Sequence, residues 1–102
     1  MYKSKYFNLG KVVVSYRVSQ LLMENNRFAR EIDLSLRRFC IKDWGNISDE
    51  DKQINEDTLQ YPEDLYLLGA YQTCCEKIWI ITNRATENPG ENVTTVLFPD
   101  ER

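Results

Sequence analysis

The chain has 102 residues, of which 42% are hydrophobic and 28% are charged, and its net charge is −3. This composition excludes a disordered chain and a membrane protein, and the length fits one domain over residues 1–102. No apolar run approaches the roughly 18 residues of a membrane span, and no apolar signal segment follows the basic N-terminus. We therefore expect a cytoplasmic protein without a membrane partner.

Charge is spread unevenly along the chain. Residues 1–42 hold nine basic and three acidic residues, a balance of +6, whereas residues 43–64 hold one lysine and eight acidic residues, a balance of −7. Residues 65–102 carry the remaining −2. This asymmetry is the clearest electrostatic feature of the sequence, and it directs attention to the acidic middle segment.

The first part of the chain predicts a strand followed by two helices. β-branched residues favour a strand over Lys11–Val18, and Ser19 can cap a short helix from Gln20 to about Asn25. The strongest helix runs from Arg27 to about Cys40. Apolar residues recur in it at helical spacing, namely Phe28, Ile32, Leu36, Phe39 and Cys40.

A third helix is predicted after a turn at residues 43–46, where Gly45 is free to adopt a positive φ. Ser48 can cap this helix, and Pro62 ends it. Negative charge in the first turn suits the helix dipole and is supplied by Asp49, Glu50 and Asp51. The apolar stripe is thin, so we expect a mostly exposed helix that rests on Ile54, Thr58 and Leu59.

Three strands are predicted to close the chain, from Asp64 to about Gln72, from Glu76 to about Asn83, and from Val93 to Phe98. Residues 73–76 join the first two as a hairpin, and residues 88–91 form a turn. The order β-α-α-α-β-β-β predicts an α+β fold in which an antiparallel sheet carries the helices on one face.

Both tryptophans are expected in the core, Trp79 more strongly than Trp44. Trp79 alternates with isoleucines in a central strand, whereas Trp44 lies in a turn. There it either fills the gap between helix and sheet or stays exposed as an interface anchor.

The sequence supplies little for catalysis. It has no histidine, which removes the usual general base and the commonest metal ligand. Cys40, Cys74 and Cys75 are an odd number of cysteines, and adjacent cysteines in a strand point to opposite faces. We expect three free thiols in a reducing compartment, no cofactor, no metal site and no enzyme activity.

The acidic segment is the first candidate for a functional surface. It either docks a basic partner, steering association more than adding affinity, or it is a solvated helix whose acids compensate the dipole. It lacks the calcium-loop pattern of an EF-hand. The candidate partner-binding residues are Asp43, Trp44, Asp49, Glu50, Asp51, Glu56, Asp57, Glu63 and Asp64. A metal-assisted enzyme that uses carboxylates near Asp43 and Asp51 is a further hypothesis.

The second candidate is a nucleic-acid-binding surface on the second helix. Its contact residues would be Arg27, Arg30, Arg37, Arg38 and Lys42. The interleaved acids Glu31 and Asp33 argue against a phosphate footprint, which usually gathers basic residues without them. They predict instead the i,i+4 ion pairs Arg27–Glu31 and Asp33–Arg37.

Three motifs occur in order along the chain: Asp43-Trp-Gly45, Lys77-Ile-Trp-Ile-Ile-Thr82 and Thr94-Thr-Val-Leu-Phe-Pro99. Together they resemble a family of small proteins of bacterial plasmids, conjugative elements and prophages, labelled only as plasmid-related proteins. The family usually has glycine where this chain has Lys42, and a shorter link between the last two strands. The resemblance implies a mobile-element origin and assigns no catalytic residues.

Two functions are compatible with that origin. The first is a non-enzymatic protein that binds a host protein, such as an anti-CRISPR inhibitor that docks on a CRISPR effector through the acidic segment. The alternative is a nucleic-acid-binding accessory protein for plasmid or phage maintenance, which would use the arginine-bearing helix.

Overall fold

A computed structural model describes residues 2–61, 66–85 and 89–102. It confirms the predicted α+β fold and the predicted order of the elements. The strands are β1 (Lys11–Val14), β2 (Tyr66–Tyr71), β3 (Ile78–Asn83) and β4 (Val93–Leu97), and the helices are α1 (Tyr16–Glu24), α2 (Asn26–Cys40) and α3 (Asp49–Gln60). Short 3-10 turns cover Pro89–Glu91 and Pro99–Glu101. The predicted strand start at Asp64 and turn start at Asn88 lie outside the described residues.

The sheet is mixed, so the prediction of a purely antiparallel sheet is wrong. Its strand order is β1-β4-β3-β2; β3 runs antiparallel to both of its neighbours, whereas β1 runs parallel to β4. Main-chain hydrogen bonds from Lys11 N to Asn92 O (3.0 Å) and from Ser15 N to Val96 O (2.9 Å) flank the parallel pair. Parallel neighbours need a long crossover, and here the whole chain between β1 and β4 forms it.

Strand β1 is shorter than predicted and helix α1 begins earlier. Ser15 is the N-cap of α1, because its Oγ accepts a hydrogen bond from Val18 N at 3.2 Å. The expected strand end, Arg17 and Val18, therefore lies in the first helical turn, and the expected cap Ser19 lies inside the helix. Val18 is fully buried in the core, so its β-branched side chain contributes to packing in a helix rather than in a strand.

Helix α2 supplies most of the helical side of the core, as its apolar stripe predicts. All of its predicted stripe residues are buried: Phe28, Ile32, Leu36, Phe39 and Cys40. All but Cys40 belong to one core cluster with Ile78, Ile80 and Val96 of the sheet. Burial of a large apolar side chain contributes about 1.5–3 kcal/mol, so this face anchors the helix.

The two tryptophans differ in burial. Trp44 is only 4% exposed and its ring contacts Phe39 edge-on, with 5.3 Å between the ring centroids. The core prediction for Trp44 is therefore confirmed. Trp79 is half-buried on the sheet face opposite Ile78 and Ile80, so the prediction that it belongs to the core more strongly than Trp44 is wrong.

A buried pair of threonines links the central strands to the N-terminal segment. The hydroxyls of Thr82 and Thr94 lie 2.7 Å apart, and Thr94 Oγ1 also donates to the main-chain oxygen of Leu9 at 2.7 Å. A hydroxyl has a single proton to donate, so Thr82 must be the donor to Thr94. Both side chains are fully buried, which makes their hydrogen bonds costly to lose.

Helix α3 lies along the outer edge of β2. The side-chain amide of Asn55 donates to Leu68 O at 2.7 Å and accepts from Leu68 N at 3.1 Å. Two residues further along β2, Ala70 N donates to Trp44 O at 3.0 Å and Ala70 O accepts from Asn46 N at 2.7 Å. These contacts satisfy main-chain groups that an edge strand would otherwise offer to another chain.

Gly45 makes this edge contact feasible. Its φ is +73°, as the predicted positive φ requires, and a Cβ at this position would clash with the carbonyl oxygen of Ala70. Glycine adopts this conformation without steric cost. The turn that carries Trp44 into the core therefore also seals the sheet edge beside α3.

Candidate docking surface on helix α3

The first turn of α3 gathers acidic side chains at a capped helix end. Ser48 is the N-cap, as predicted, and its Oγ accepts a hydrogen bond from Asp51 N at 3.1 Å. Three exposed carboxylates follow it: Asp49, Glu50 and Asp51. The partial positive charge of the helix N-terminus stabilises these acids, so their position is explained by the helix alone.

Further along α3, two large apolar side chains are exposed next to carboxylates. Ile54 is 50% exposed and Tyr61, the C-cap residue, is 52% exposed. Together with Glu50 and Asp57 they are spaced i, i+4, i+7 and i+11, which places them on one side of the helix. We call Glu50, Ile54, Asp57 and Tyr61 the α3 stripe.

The exposure of Ile54 corrects the predicted packing of α3. Of the three residues predicted to pack inward, Thr58 is buried and Leu59 packs half-buried against the core, but Ile54 is exposed and Asn55 is buried in its place. Asn55 turns inward because its amide has partners on the edge of β2. The i, i+4, i+7, i+11 spacing is the signal in the sequence that could have identified the stripe.

Two of the candidate acids are engaged by basic residues. Asp43 binds the Arg38 guanidinium at 2.8 and 3.2 Å and also accepts from Gly45 N at 3.2 Å. The hydrogen bond from Arg38 holds the pKa of the Asp43 carboxyl below its usual value. Glu56 accepts from Lys42 Nζ at 3.1 Å. These pairs reduce the negative charge that Asp43 and Glu56 offer to a partner.

Of the remaining predicted partner-binding residues, some are exposed on α3 and the others are buried or lie outside the described residues. Trp44 is buried, so it lies outside the exposed surface despite its position next to Asp43. Glu63 and Asp64 lie outside the described residues. The structure therefore places on one helix the exposed acids Asp49, Glu50, Asp51 and Asp57.

A small polar cluster holds the turn that precedes α3. Tyr71 Oη donates to the main-chain oxygen of Asp43 at 2.7 Å, and the Arg38 guanidinium stacks over the Tyr71 ring, 5.1 Å from its centroid. Burial raises the pKa of the Tyr71 phenol well above its usual value, so it stays a hydrogen-bond donor at neutral pH. This cluster fixes the entry to α3.

The basic residues of α2 and the following turn are mostly paired. Four of the five predicted nucleic-acid contacts lie within 4.0 Å of a carboxylate oxygen: Arg27, Arg37, Arg38 and Lys42. Both predicted i,i+4 pairs are present, Arg37–Asp33 at 3.0 Å and Arg27–Glu31 at 4.0 Å. The apolar side chains of Leu34 and of the C-cap residue Ile41 are exposed on the side of α2 that carries these basic residues. A surface of paired charges and apolar groups differs from a phosphate footprint.

The N-terminal segment borders two concavities. One, of about 560 Å³, is lined by residues 2–10, and the other, of about 370 Å³, lies between that segment and α2. In the second, Asp33 accepts hydrogen bonds from Tyr2 Oη and Arg37 Nε. Burial, aided by the Asp33 carboxylate, raises the pKa of Tyr2 to about 12. This cluster fastens the N-terminal segment to α2.

The chain matches no family model, no curated protein and no solved structure. Within residues 2–61, 66–85 and 89–102, no three His, Cys, Asp or Glu side chains are grouped so that they could hold a metal ion. None of the helices in these ranges is long and apolar enough to cross a membrane. The α3 stripe combines exposed apolar side chains with exposed carboxylates, which makes it a candidate surface for recognition.

Proposed function

We propose that this chain is a non-enzymatic, protein-binding module that docks a basic partner through the α3 stripe. The observation that supports the proposal is the half-exposed Ile54, which lies between the carboxylates of Glu50 and Asp57 and about two turns before the exposed Tyr61. Protein interfaces combine a desolvated apolar centre, often with a tyrosine, and a polar rim. In this surface the apolar pair supplies affinity and the acids steer the approach of the partner.

The attachment of α3 favours such a role. Asn55 and Thr58 are buried on the side of the helix that faces away from the stripe. The Thr58 carbonyl also accepts a hydrogen bond from Arg84. The stripe is therefore presented on a helix held at the sheet edge. A surface that is ordered before binding loses less conformational entropy in the complex.

The resemblance to proteins of mobile elements indicates the kind of partner. On that ground we propose an inhibitor of a host defence system, of the anti-CRISPR type. Effectors that hold nucleic acids carry Lys and Arg where phosphates bind, and an acidic surface is complementary to such a groove. This part of the proposal depends on the resemblance, whereas the docking surface depends on the contacts of α3.

A phage-challenge assay tests both parts. Bacterial strains with defined CRISPR systems express the wild-type chain, the α3 variant Glu50→Lys/Asp57→Lys, or the control Glu24→Lys/Glu91→Lys. The control makes the same change in net charge at exposed carboxylates elsewhere. We expect the wild type and the control to abolish immunity in at least one strain, and the α3 variant to leave it intact.

Two results would contradict the proposal in different ways. Full immunity in every strain that expresses the wild type argues against inhibition of CRISPR defence. Loss of immunity with the α3 variant, at wild-type protein levels, argues against the docking surface. A mobility shift of DNA or RNA at low salt, lost in Arg30→Glu/Arg37→Glu, would favour the nucleic-acid-binding alternative.

A further inference from the structure

The connection between β2 and β3 brings two thiols together. Cys74 and Cys75 are both exposed, and their sulfur atoms lie 3.7 Å apart. Adjacent cysteines in a strand would point to opposite faces, but these two lie in a turn, where the side chains converge. The expected free thiols are present, and their proximity is the unexpected feature.

Hydrogen bonds hold this turn in place. Thr73 Oγ1 accepts from Cys75 N at 3.2 Å and from Glu76 N at 3.0 Å, and it donates to Glu76 O. Cys74 N donates to Glu31 Oε1 of α2 at 2.8 Å. On the other side, Asn25 Nδ2 lies 3.5 Å from Cys75 Sγ. The two thiols are therefore positioned by contacts with α2 and its N-cap.

The distance between the two sulfur atoms would allow both of them to bind one central atom. Two sulfur atoms bound at about 2.3 Å to one centre lie roughly 3.3 to 3.8 Å apart as the bond angle opens from about 90° to the tetrahedral value, and the spacing found here lies within that range. A disulfide would require about 2.0 Å and more widely spaced Cα atoms than adjacent residues provide. The geometry thus favours chelation over an intramolecular disulfide.

The number of protein side chains available as ligands limits which kind of metal or metalloid could bind to the two thiols. Structural zinc sites take four protein ligands and catalytic ones take three. No group of three or more suitable side chains occurs in the described parts of the chain. A metal or metalloid bound at this pair would therefore have two protein ligands, the sulfur atoms of Cys74 and Cys75.

We propose that Cys74 and Cys75 form a bidentate site for a soft thiophilic centre, of the class of monosubstituted trivalent arsenicals. In the binding step, R–As(OH)₂ and two thiols give R–As(S–Cys)₂ and two water molecules. Two As–O bonds break and two As–S bonds form, each thiol proton leaves in water, and no atom changes oxidation state.

The surroundings of Cys74 agree with this step. The Glu31 carboxylate next to the thiol raises the pKa of Cys74 to about 11, so the thiol keeps its proton at neutral pH. A protonated thiol is a poor nucleophile for disulfide exchange. A ligand that carries its own hydroxide groups removes the proton as water and needs no preformed thiolate.

Phenylarsine oxide is a direct probe. The purified full chain is mixed with one equivalent in millimolar glutathione, and intact-mass spectrometry detects the adduct. We expect a 1:1 adduct in the wild type and in Cys40→Ser, which changes the buried thiol. Cys74→Ser and Cys75→Ser should each lower the affinity at least tenfold, and an added small dithiol should reverse binding.

Alkylation of the wild type provides a readout that does not depend on variants. The bound arsenical should protect Cys74 and Cys75 together from iodoacetamide. The proposal is overturned if the wild type forms no adduct, if either serine variant at 74 or 75 binds as tightly as the wild type, or if Cys40→Ser loses the adduct while its circular dichroism is unchanged.

Discussion

The side-chain amide of Asn55 forms hydrogen bonds with both main-chain groups of Leu68. The asparagine thus takes the place of a neighbouring strand at the open edge of β2. It also helps to set the orientation of α3, because the two buried residues of the helix are the polar Asn55 and Thr58, beside which Leu59 packs half-buried against the core. The exposed α3 stripe is a consequence of this attachment.

Replacement of Asn55 should therefore lower the free energy of unfolding more than replacement of an exposed amide side chain does. Asn55→Ala removes two hydrogen bonds and leaves the Leu68 N–H and C=O without partners, which costs about 2–4 kcal/mol. Urea unfolding measures the loss. Gln53→Ala, at an exposed position of the same helix, is the control and should change stability by less than about 0.5 kcal/mol. Equal losses in the two variants would contradict this role of Asn55.

Replacement of the two buried threonines should lower the stability of the fold by different amounts. Thr94→Val leaves both Leu9 O and the Thr82 hydroxyl without a partner, so we expect a loss of about 2–3 kcal/mol. Thr82→Val removes only a donor to Thr94 and should cost about 1 kcal/mol. The double variant should be less destabilised than the sum of the two. A larger loss for Thr82→Val than for Thr94→Val would contradict this account of the pair.

Gly45 should tolerate no side chain. Gly45→Ala places a Cβ against the Ala70 carbonyl at a positive φ, so the hydrogen bonds between the turn and β2 must break. We expect a loss of more than about 2 kcal/mol in thermal or urea unfolding. Asn46→Ala keeps the main-chain bond to Ala70 and serves as the control. A wild-type unfolding midpoint for Gly45→Ala would contradict the edge contact.

The Arg38–Asp43 pair predicts a dependence of stability on pH. The folded-state pKa of Asp43 lies below its usual value of about 3.9, so its contribution is present above that value and is lost as pH falls through the folded pKa. Asp43→Asn should cost up to about 1 kcal/mol at pH 7, since the pair is partly exposed. The difference from wild type should shrink in urea unfolding as the pH falls below the usual aspartate pKa of about 3.9 and through the lowered folded-state pKa. A pH-independent difference would contradict the pairing.

Helix α2 could be predicted from the sequence because the five residues of its predicted apolar stripe recur at helical spacing and all five are buried. The parallel pairing of β1 with β4 could not, because it depends on main-chain bonds between distant segments, such as Lys11 to Asn92. A hydrophobic pattern also assigns Ile54 to the core and Asn55 to the solvent. The amide partners that reverse this assignment are visible only in three dimensions. The same is true of the approach of Cys74 to Cys75.

The central claim is that the α3 stripe binds a protein, and quantitative affinity capture tests it most directly. Three baits are used in parallel with one host lysate: the wild type, Glu50→Lys/Asp57→Lys, and the charge-matched control Glu24→Lys/Glu91→Lys. Ile54→Ala is a fourth bait that removes apolar contact without changing charge. Circular dichroism verifies that every bait is folded.

We predict that one host protein is enriched equally by the wild type and the control. Its capture should fall at least tenfold with the Lys double variant at α3 and severalfold with Ile54→Ala. Retention of the same protein by all four baits would contradict the account, as would the absence of any protein enriched by the wild type.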